Sequence, residues 1–189
     1  HASLRRLGTD FIDLYLAHAM DPQTPIDETL RAYDDLVHQG KVRYVGCSNY
    51  SAWRLCQALW VSDKHGLARF ESEQPYYNLI DRADFERELP ELIREEGLGV
   101  TPYSPQAMGF LTGKFRRNQS VPENSRGTID SRMQGYFTER NFALLDEMER
   151  IGREHGKSIA QVSLAWLLTN PLITAPIVGA RDTAQLTES

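Results

Sequence analysis

Gly40-Lys41-Val42-Arg43-Tyr44-Val45-Gly46-Cys47-Ser48-Asn49-Tyr50 holds a helix stop, a strand and a polar strand end in one short run. Gly40 suits the left-handed residue that ends a helix. Residues 42–47 carry the β-branched and aromatic side chains of a strand. Gly46-Cys47-Ser48-Asn49-Tyr50 then turns the chain with small and polar groups.

The same grammar recurs on both sides. Strand candidates lie at residues 11–17, 42–47, 70–74, 99–103 and 175–178. The first four start 31, 28 and 29 residues apart, which suits successive βα units of a parallel sheet. The intervening helices have legible ends. Thr24-Pro25-Ile26-Asp27 offers an N-cap, a proline at the first helical position and an acid behind it. Ile26, Leu30, Tyr33, Leu36 and Val37 then share a face. Trp53, Cys56, Leu59 and Trp60 form a stripe on the next helix, and Phe85, Leu89, Leu92 and Ile93 on the one after. Helical spacing places the tryptophans, Trp166 among them, on sheet-packing faces. The last interval holds a polar loop over 116–135 and helix candidates at 139–154 and 158–169.

Spacing alone leaves two α/β architectures, a small doubly wound sheet or an incomplete (β/α)8 barrel. No G-x-G-x-x-G follows any strand, which weighs against a dinucleotide-binding doubly wound fold. A complete barrel needs about 250 residues, and the chain has 189. In both architectures chemistry gathers at the carboxyl ends of the strands. The five ends here are Ala17-His18, Gly46 to Tyr50, Glu73 to Asn78, Pro102 to Pro105 and Gly179 to Asp182. Each alone is ordinary turn or cap chemistry. Five at one rim point to a composite site.

Composition narrows the partners. The formal net charge is −5, against the basic excess of nucleic-acid and anionic-membrane binders. No apolar run approaches the roughly 20 residues of a membrane span. Two cysteines, Cys47 and Cys56, match no metal spacing and are expected to stay reduced, as in a cytoplasmic protein.

The strand ends resemble those of the aldo-keto reductases, over essentially all 189 residues. The matching text is LRRLGTDFIDLYLAH (Leu4 to His18), GKVRYVGCSNY (Gly40 to Tyr50), the EQPYYN run, TPYSPQAMGFLTGKF (Thr101 to Phe115) and APIVGARDTAQLTES (Ala175 to Ser189), in the family's order. The resemblance implies a single (β/α)8 TIM-barrel domain, here incomplete with five of eight strands. It implies reduction of an aldehyde or ketone with NADP(H), NAD(H) being less favoured. Measured against the family, the chain runs from just before the fourth strand to the eighth, so the Asp, Tyr and Lys of the catalytic tetrad are expected to lie earlier. His18 matches the tetrad histidine, which orients the carbonyl. Tyr76 and Tyr77 sit on the wrong strand to replace the tetrad tyrosine.

The cofactor positions carry over by the same resemblance. Ser48, Asn49 and Gln74 match the residues that hold the nicotinamide carboxamide. Tyr103 matches the stacking aromatic. Ser104, Gly109, Leu111 and Lys114 lie in the pyrophosphate loop, partly through main-chain N–H groups, with Gly109 and Gly113 permitting close approach. Arg126 matches a further phosphate contact in some members. Gly179, Arg181, Gln185 and Glu188 match the adenosine end, where Asp182 and Gln185 also form a capping-box pattern. Ser189 stands where members often have Asn. The alternatives are an NADP(H)-binding, redox-sensing regulatory subunit of the same fold, or an inactive fragment. On this reading the chain alone is expected to lack reductase activity and to leave an open barrel.

Arg181 beside a helix start suits a 2′-phosphate. Arg181→Ala in the complete protein is expected to weaken NADPH more than NADH. A fluorescence titration showing equal losses for both would count against that contact.

Overall fold

A computed structural model of the chain describes residues 1–121, 130–180 and 182–188. The chain forms two compact units: His1–Pro75 with Asp84–Thr101, and Tyr76–Ala83 with Pro102–Ser189. The first unit opens with α1 (Ala2–Leu7) and then alternates β1 (Ile12–Ala17), α2 (Ile26–His38), β2 (Val42–Ser48), α3 (Ala52–His65), β3 (Phe70–Gln74), α4 (Ala83–Glu96) and β4 (Gly99–Val100). The strands form one parallel sheet in the order β1-β2-β3-β4. Parallel neighbours need a crossover, and each intervening helix supplies one. One sheet face is covered. Tyr15 of β1 touches Tyr33 of α2, and Phe70 lies edge-on between Tyr33 and Tyr50. Leu30, Val45, Leu55, Phe85, Ile93 and Val100 complete a core with at most 1% exposure. The other face shows Leu14 and Tyr44, a cross-strand pair 37% and 60% exposed. Among the described residues no strand pairs with the far edge of β1, so the sheet is open, as in an incomplete barrel.

In the second unit, 3₁₀ turns over Ala107–Thr112 and Ser131–Tyr136 precede α5 (Glu139–His155), α6 (Ile159–Leu168) and α7 (Thr183–Glu188). Thr138 caps α5 by accepting from Asn141 N, and Ser158 with Gln161 forms a full capping box on α6. The core is aromatic: Phe110, Phe115, Met133, Tyr136, Leu145 and Met148 are buried together, with Phe137 and Phe142 packed against them.

Three expectations are corrected. No fifth strand forms over residues 175–178; the segment is tied by a backbone hydrogen bond from Ile177 N to Pro102 O at 2.9 Å. Prolines at 102 and 176 remove the donors that further pairing needs, and Pro102 likewise follows closely on the short β4. Pro25, not Thr24, occupies the N-cap of α2, and the Thr24 hydroxyl donates to Asp21 instead. Trp53 and Trp60 do not pack on the sheet. They are 60% and 59% exposed under Arg54 and Lys64, while Leu55, Ala58, Leu59 and Val61 face inward. α3 is apolar on more than one side, so its periodicity offered two stripes. Trp166 packs on the Tyr77 ring at 5.4 Å.

The β2–β3 register holds one irregularity. Val45 pairs with Phe70 and Cys47 with Glu73, so β3 carries one more residue than β2 across this step. Such a bulge re-aims the following side chains. Glu73 is turned onto the helix-covered face and is fully buried. Its carboxylate accepts from Cys47 Sγ at 2.8 Å and from Tyr50 N at 3.3 Å. Burial pushes its pKa up to about 7, against the pull of these hydrogen bonds. Burial, then the neighbouring Glu73 charge, holds the Cys47 thiol protonated.

The folded chain therefore holds the Glu73 proton more tightly than the unfolded chain does. The stability this gives is fully present below the ordinary value of 4.5 and is lost as pH rises through about 7. The loss amounts to roughly 3 kcal/mol. Glu73→Gln is expected to remove that slope and to be the more stable protein at pH 8. Urea unfolding of both proteins at pH 5 and pH 8 checks this, and equal slopes would rule it out.

Candidate functional site

In the first unit the carboxyl ends of β1, β2 and β3 are tied by side-chain hydrogen bonds. Asn49 Nδ2 donates to His18 O at 3.0 Å and to Ser48 Oγ at 2.9 Å. The Ser48 hydroxyl donates onward to Gln74 O at 2.7 Å. The residue types follow from these tasks. Ser48 is buried and must both accept and donate. Asn49 sits at φ 61, a left-handed conformation that Asn tolerates. Gly46 is required two residues before Ser48, because a Cβ there would lie 2.3 Å from Ser72 Oγ and 2.9 Å from Ser72 O. Gln74 pairs with Ser48 in register and is half-buried. Its side-chain amide makes no hydrogen bond among the described residues. The exposed His18 imidazole likewise makes none.

In the second unit a cleft of about 850 Å³ is lined by Tyr103, Ser104, Gly109 and Lys114, with Tyr76, Arg132 and Tyr136 beside them. Gly179 and Gln185 line it too. The loop after Tyr103 is unusual in its backbone. Ser104, Ala107, Met108, Gly109 and Gly113 all have φ between 48° and 97°. Each non-glycine among them costs of order 1 kcal/mol. Internal hydrogen bonds hold this shape. Met108 N donates to Ser104 Oγ at 3.0 Å, and Gly109 N and Leu111 N both donate to Gln106 O. Below the loop, Ala107, Phe110 and Leu111 are fully buried.

Gly109 makes room for a cation. A Cβ there would stand 2.9 Å from Lys114 Nζ. Gly113 has a different reason: a Cβ there would stand 2.5 Å from Ile159 Cδ1 of α6. Leu111 does not line the cleft; it belongs to the core, with its N–H engaged within the loop. Gln185 N donates to Asp182 Oδ1 at 2.9 Å, one half of the expected capping arrangement. Arg126, Arg181 and Ser189 lie outside the described residues, as does the side chain of Glu188 at the end of α7.

Three groups escaped the sequence reading. Glu73 lies directly beneath the strand-end cluster. Arg132 lines the cleft while its guanidinium is held by Asp130. Tyr76 and Tyr136 share a hydroxyl–hydroxyl contact, and Tyr136 donates on to Asp81 at 2.7 Å. Burial and these hydrogen bonds push the Tyr136 phenol above its ordinary range, the wrong direction for a proton donor at neutral pH. Tyr77 is 1% exposed and serves packing. Only the EQPYYN text hinted at Glu73, and nothing in the loop's composition signalled Arg132 or Tyr136.

The model of the Aldo/keto reductase family matches residues 1–189. A putative voltage-gated potassium channel subunit beta of Schizosaccharomyces pombe is 36% identical, over 100% of this chain and 56% of that protein. The versiconal hemiacetal acetate reductase of Aspergillus parasiticus is 35% identical, over 100% of this chain and 54% of that protein. Among solved structures, the glycerol dehydrogenase of Gluconobacter oxydans matches with a TM-score of 0.82 and 30% identity, covering 98% of this chain and 54% of that one. The chain thus spans about half the length of the relatives it matches. With the family model covering it from end to end, the chain belongs to the aldo/keto reductase family.

Proposed function

We propose that this chain supplies the cofactor-holding residues of an NADP(H)-dependent reductase of aldehydes or ketones. The observation that carries the reading is the cleft of the second unit, where Lys114 lies over Gly109 in a loop beside the Tyr103 ring. A lysine against a glycine-opened loop suits a pyrophosphate, and a half-buried aromatic suits one face of a flat heterocycle. Gln74 adds an amide with both a donor and an acceptor, which is what a carboxamide needs.

The residues present fit a nicotinamide dinucleotide. When bound, such a cofactor supplies a hydride to the carbonyl carbon. The chain's own residues do the rest of what this half of the site requires. Gln74, Ser48 and Asn49 orient the ring's carboxamide. Tyr103 covers the ring, Ser104, Gly109 and Lys114 receive the phosphates, and Gly179 and Gln185 face the adenosine end. His18, exposed at the end of β1, donates a hydrogen bond to the substrate oxygen as negative charge builds there. A reducing, cytoplasmic setting suits two unpaired thiols. No described helix is long and apolar enough to cross a membrane.

A second reading, a redox-sensing regulatory subunit, draws on the potassium-channel relatives. Both readings require cofactor binding and differ in turnover. Purified chain is expected to bind NADPH saturably. Lys114→Met is expected to weaken NADPH and NADH alike by about ten-fold, the value of one charge-assisted hydrogen bond. Absence of saturable binding, or an unaffected Lys114→Met, would sink the reading. Multiple turnovers of an aldehyde by the complete protein would favour the enzyme, and tight binding without turnover the sensor.

A further inference from the structure

We propose that Glu73 is a positioning residue for the strand-end cluster, a buried carboxylate that holds the Asn49–Tyr50 turn in the one geometry that serves the cofactor. This rests on the cofactor reading of Ser48, Asn49 and Gln74. Glu73 itself faces away from them, on the helix-covered side of the sheet.

Three donors meet this carboxylate. Cys47 Sγ and Tyr50 N reach it at 2.8 and 3.3 Å, and the backbone N–H of Asn49 joins them. Two consecutive N–H groups aimed at one anion are what a left-handed residue in a turn produces. Asn49 is that residue. Its side chain then reaches His18 O and Ser48 Oγ. The chain of cause runs from the Glu73 charge to the turn, from the turn to the Asn49 amide, and from there to three strand ends.

Stability does not account for this group. A buried carboxylate without a cationic partner is costly, and an apolar residue in its place would serve the core better. Among the described residues no Lys or Arg forms an ion pair with it. The ionised form accepts all three donors, whereas protonation replaces an acceptor with a donor. Cys47 and Tyr50 meet it directly; Tyr33 of α2 lies near both of them and Arg54 of α3 near Tyr50, with His18 at the far end of the Asn49 bridge. Val100 of β4 pairs with it in register, and Thr101 N, just past β4, donates to Glu73 O.

The test follows the Glu73 side-chain carboxyl carbon and the Asn49 and Tyr50 amides by NMR from pH 5 to 9, and measures NADH affinity over the same range. NADH has no 2′-phosphate to titrate. The carboxyl carbon and both amides are expected to shift together near pH 7. NADH affinity is expected to rise about five-fold between pH 6 and 8, as a hydrogen bond regained implies. Glu73→Gln is expected to bind weakly and without that slope, and Glu73→Asp to recover part of both. Amides that ignore the carboxyl titration would overturn the proposal. So would a Glu73→Gln protein with wild-type affinity and slope. Amides that titrate while NADH never binds would instead overturn the cofactor reading.

Discussion

Between Val45 and Cys47 the chain takes two steps; between their partners Phe70 and Glu73 it takes three. That extra residue in β3 decides which way every later side chain of the strand points. Glu73 goes beneath the helices, and Gln74 pairs with Ser48 on the opposite face. Without the bulge the two would exchange places, since a one-residue slip turns a strand over. A charged group would then occupy the place that Gln74 takes beside Ser48, and the turn after β2 would lose its acceptor. Gly46 belongs to the same constraint, because only a residue without Cβ lets Ser72 pass so close.

The second unit reaches rigidity by other means. Its loop carries three non-glycine residues in left-handed conformation, an arrangement that extended solvent contact would not sustain. What holds it is apolar. Phe110 stacks on Phe115 and Tyr136, and Leu111 is buried beside them. Displacing the loop would expose these rings to water, at about 25 cal/mol for each Å². The strain at Ser104, Ala107 and Met108 is small against that. A loop pinned from below can keep its upper surface shaped for a ligand.

This difference explains what could be read from the sequence. The parallel βα alternation was legible because near-equal spacing and glycine stops are local signals; three strands fall where they were expected, and the fourth starts on time but stops at Val100. The strand-end positions Ser48, Asn49, Gln74 and Tyr103 were nameable only through resemblance, since they follow a fixed order along the chain. Glu73 was not legible. Strand periodicity assigns alternating faces, and a bulge breaks that rule without a mark in composition. Trp53 and Trp60 misled for the converse reason: their spacing is regular, but Leu55 and Leu59 fit the sheet and the larger rings took cations over their faces. The fifth strand failed on chemistry that single-residue propensity does not weigh, the missing donors of Pro102 and Pro176.

The strand-end network also divides labour among residues that the resemblance treats alike. A primary amide has two hydrogens, and those of Asn49 are directed to His18 O and Ser48 Oγ. The single hydroxyl hydrogen of Ser48 goes to Gln74 O. Neither residue has a proton left to offer a ligand while the network stands. A carboxamide presents an oxygen that needs a donor and a nitrogen that needs an acceptor. Within this cluster the side-chain donor must come from Gln74, and Ser48 and Asn49 can contribute only acceptor lone pairs. On the proposed cofactor reading, ring orientation would depend on one glutamine amide aimed by its register with Ser48, while the serine and asparagine keep three strand ends together.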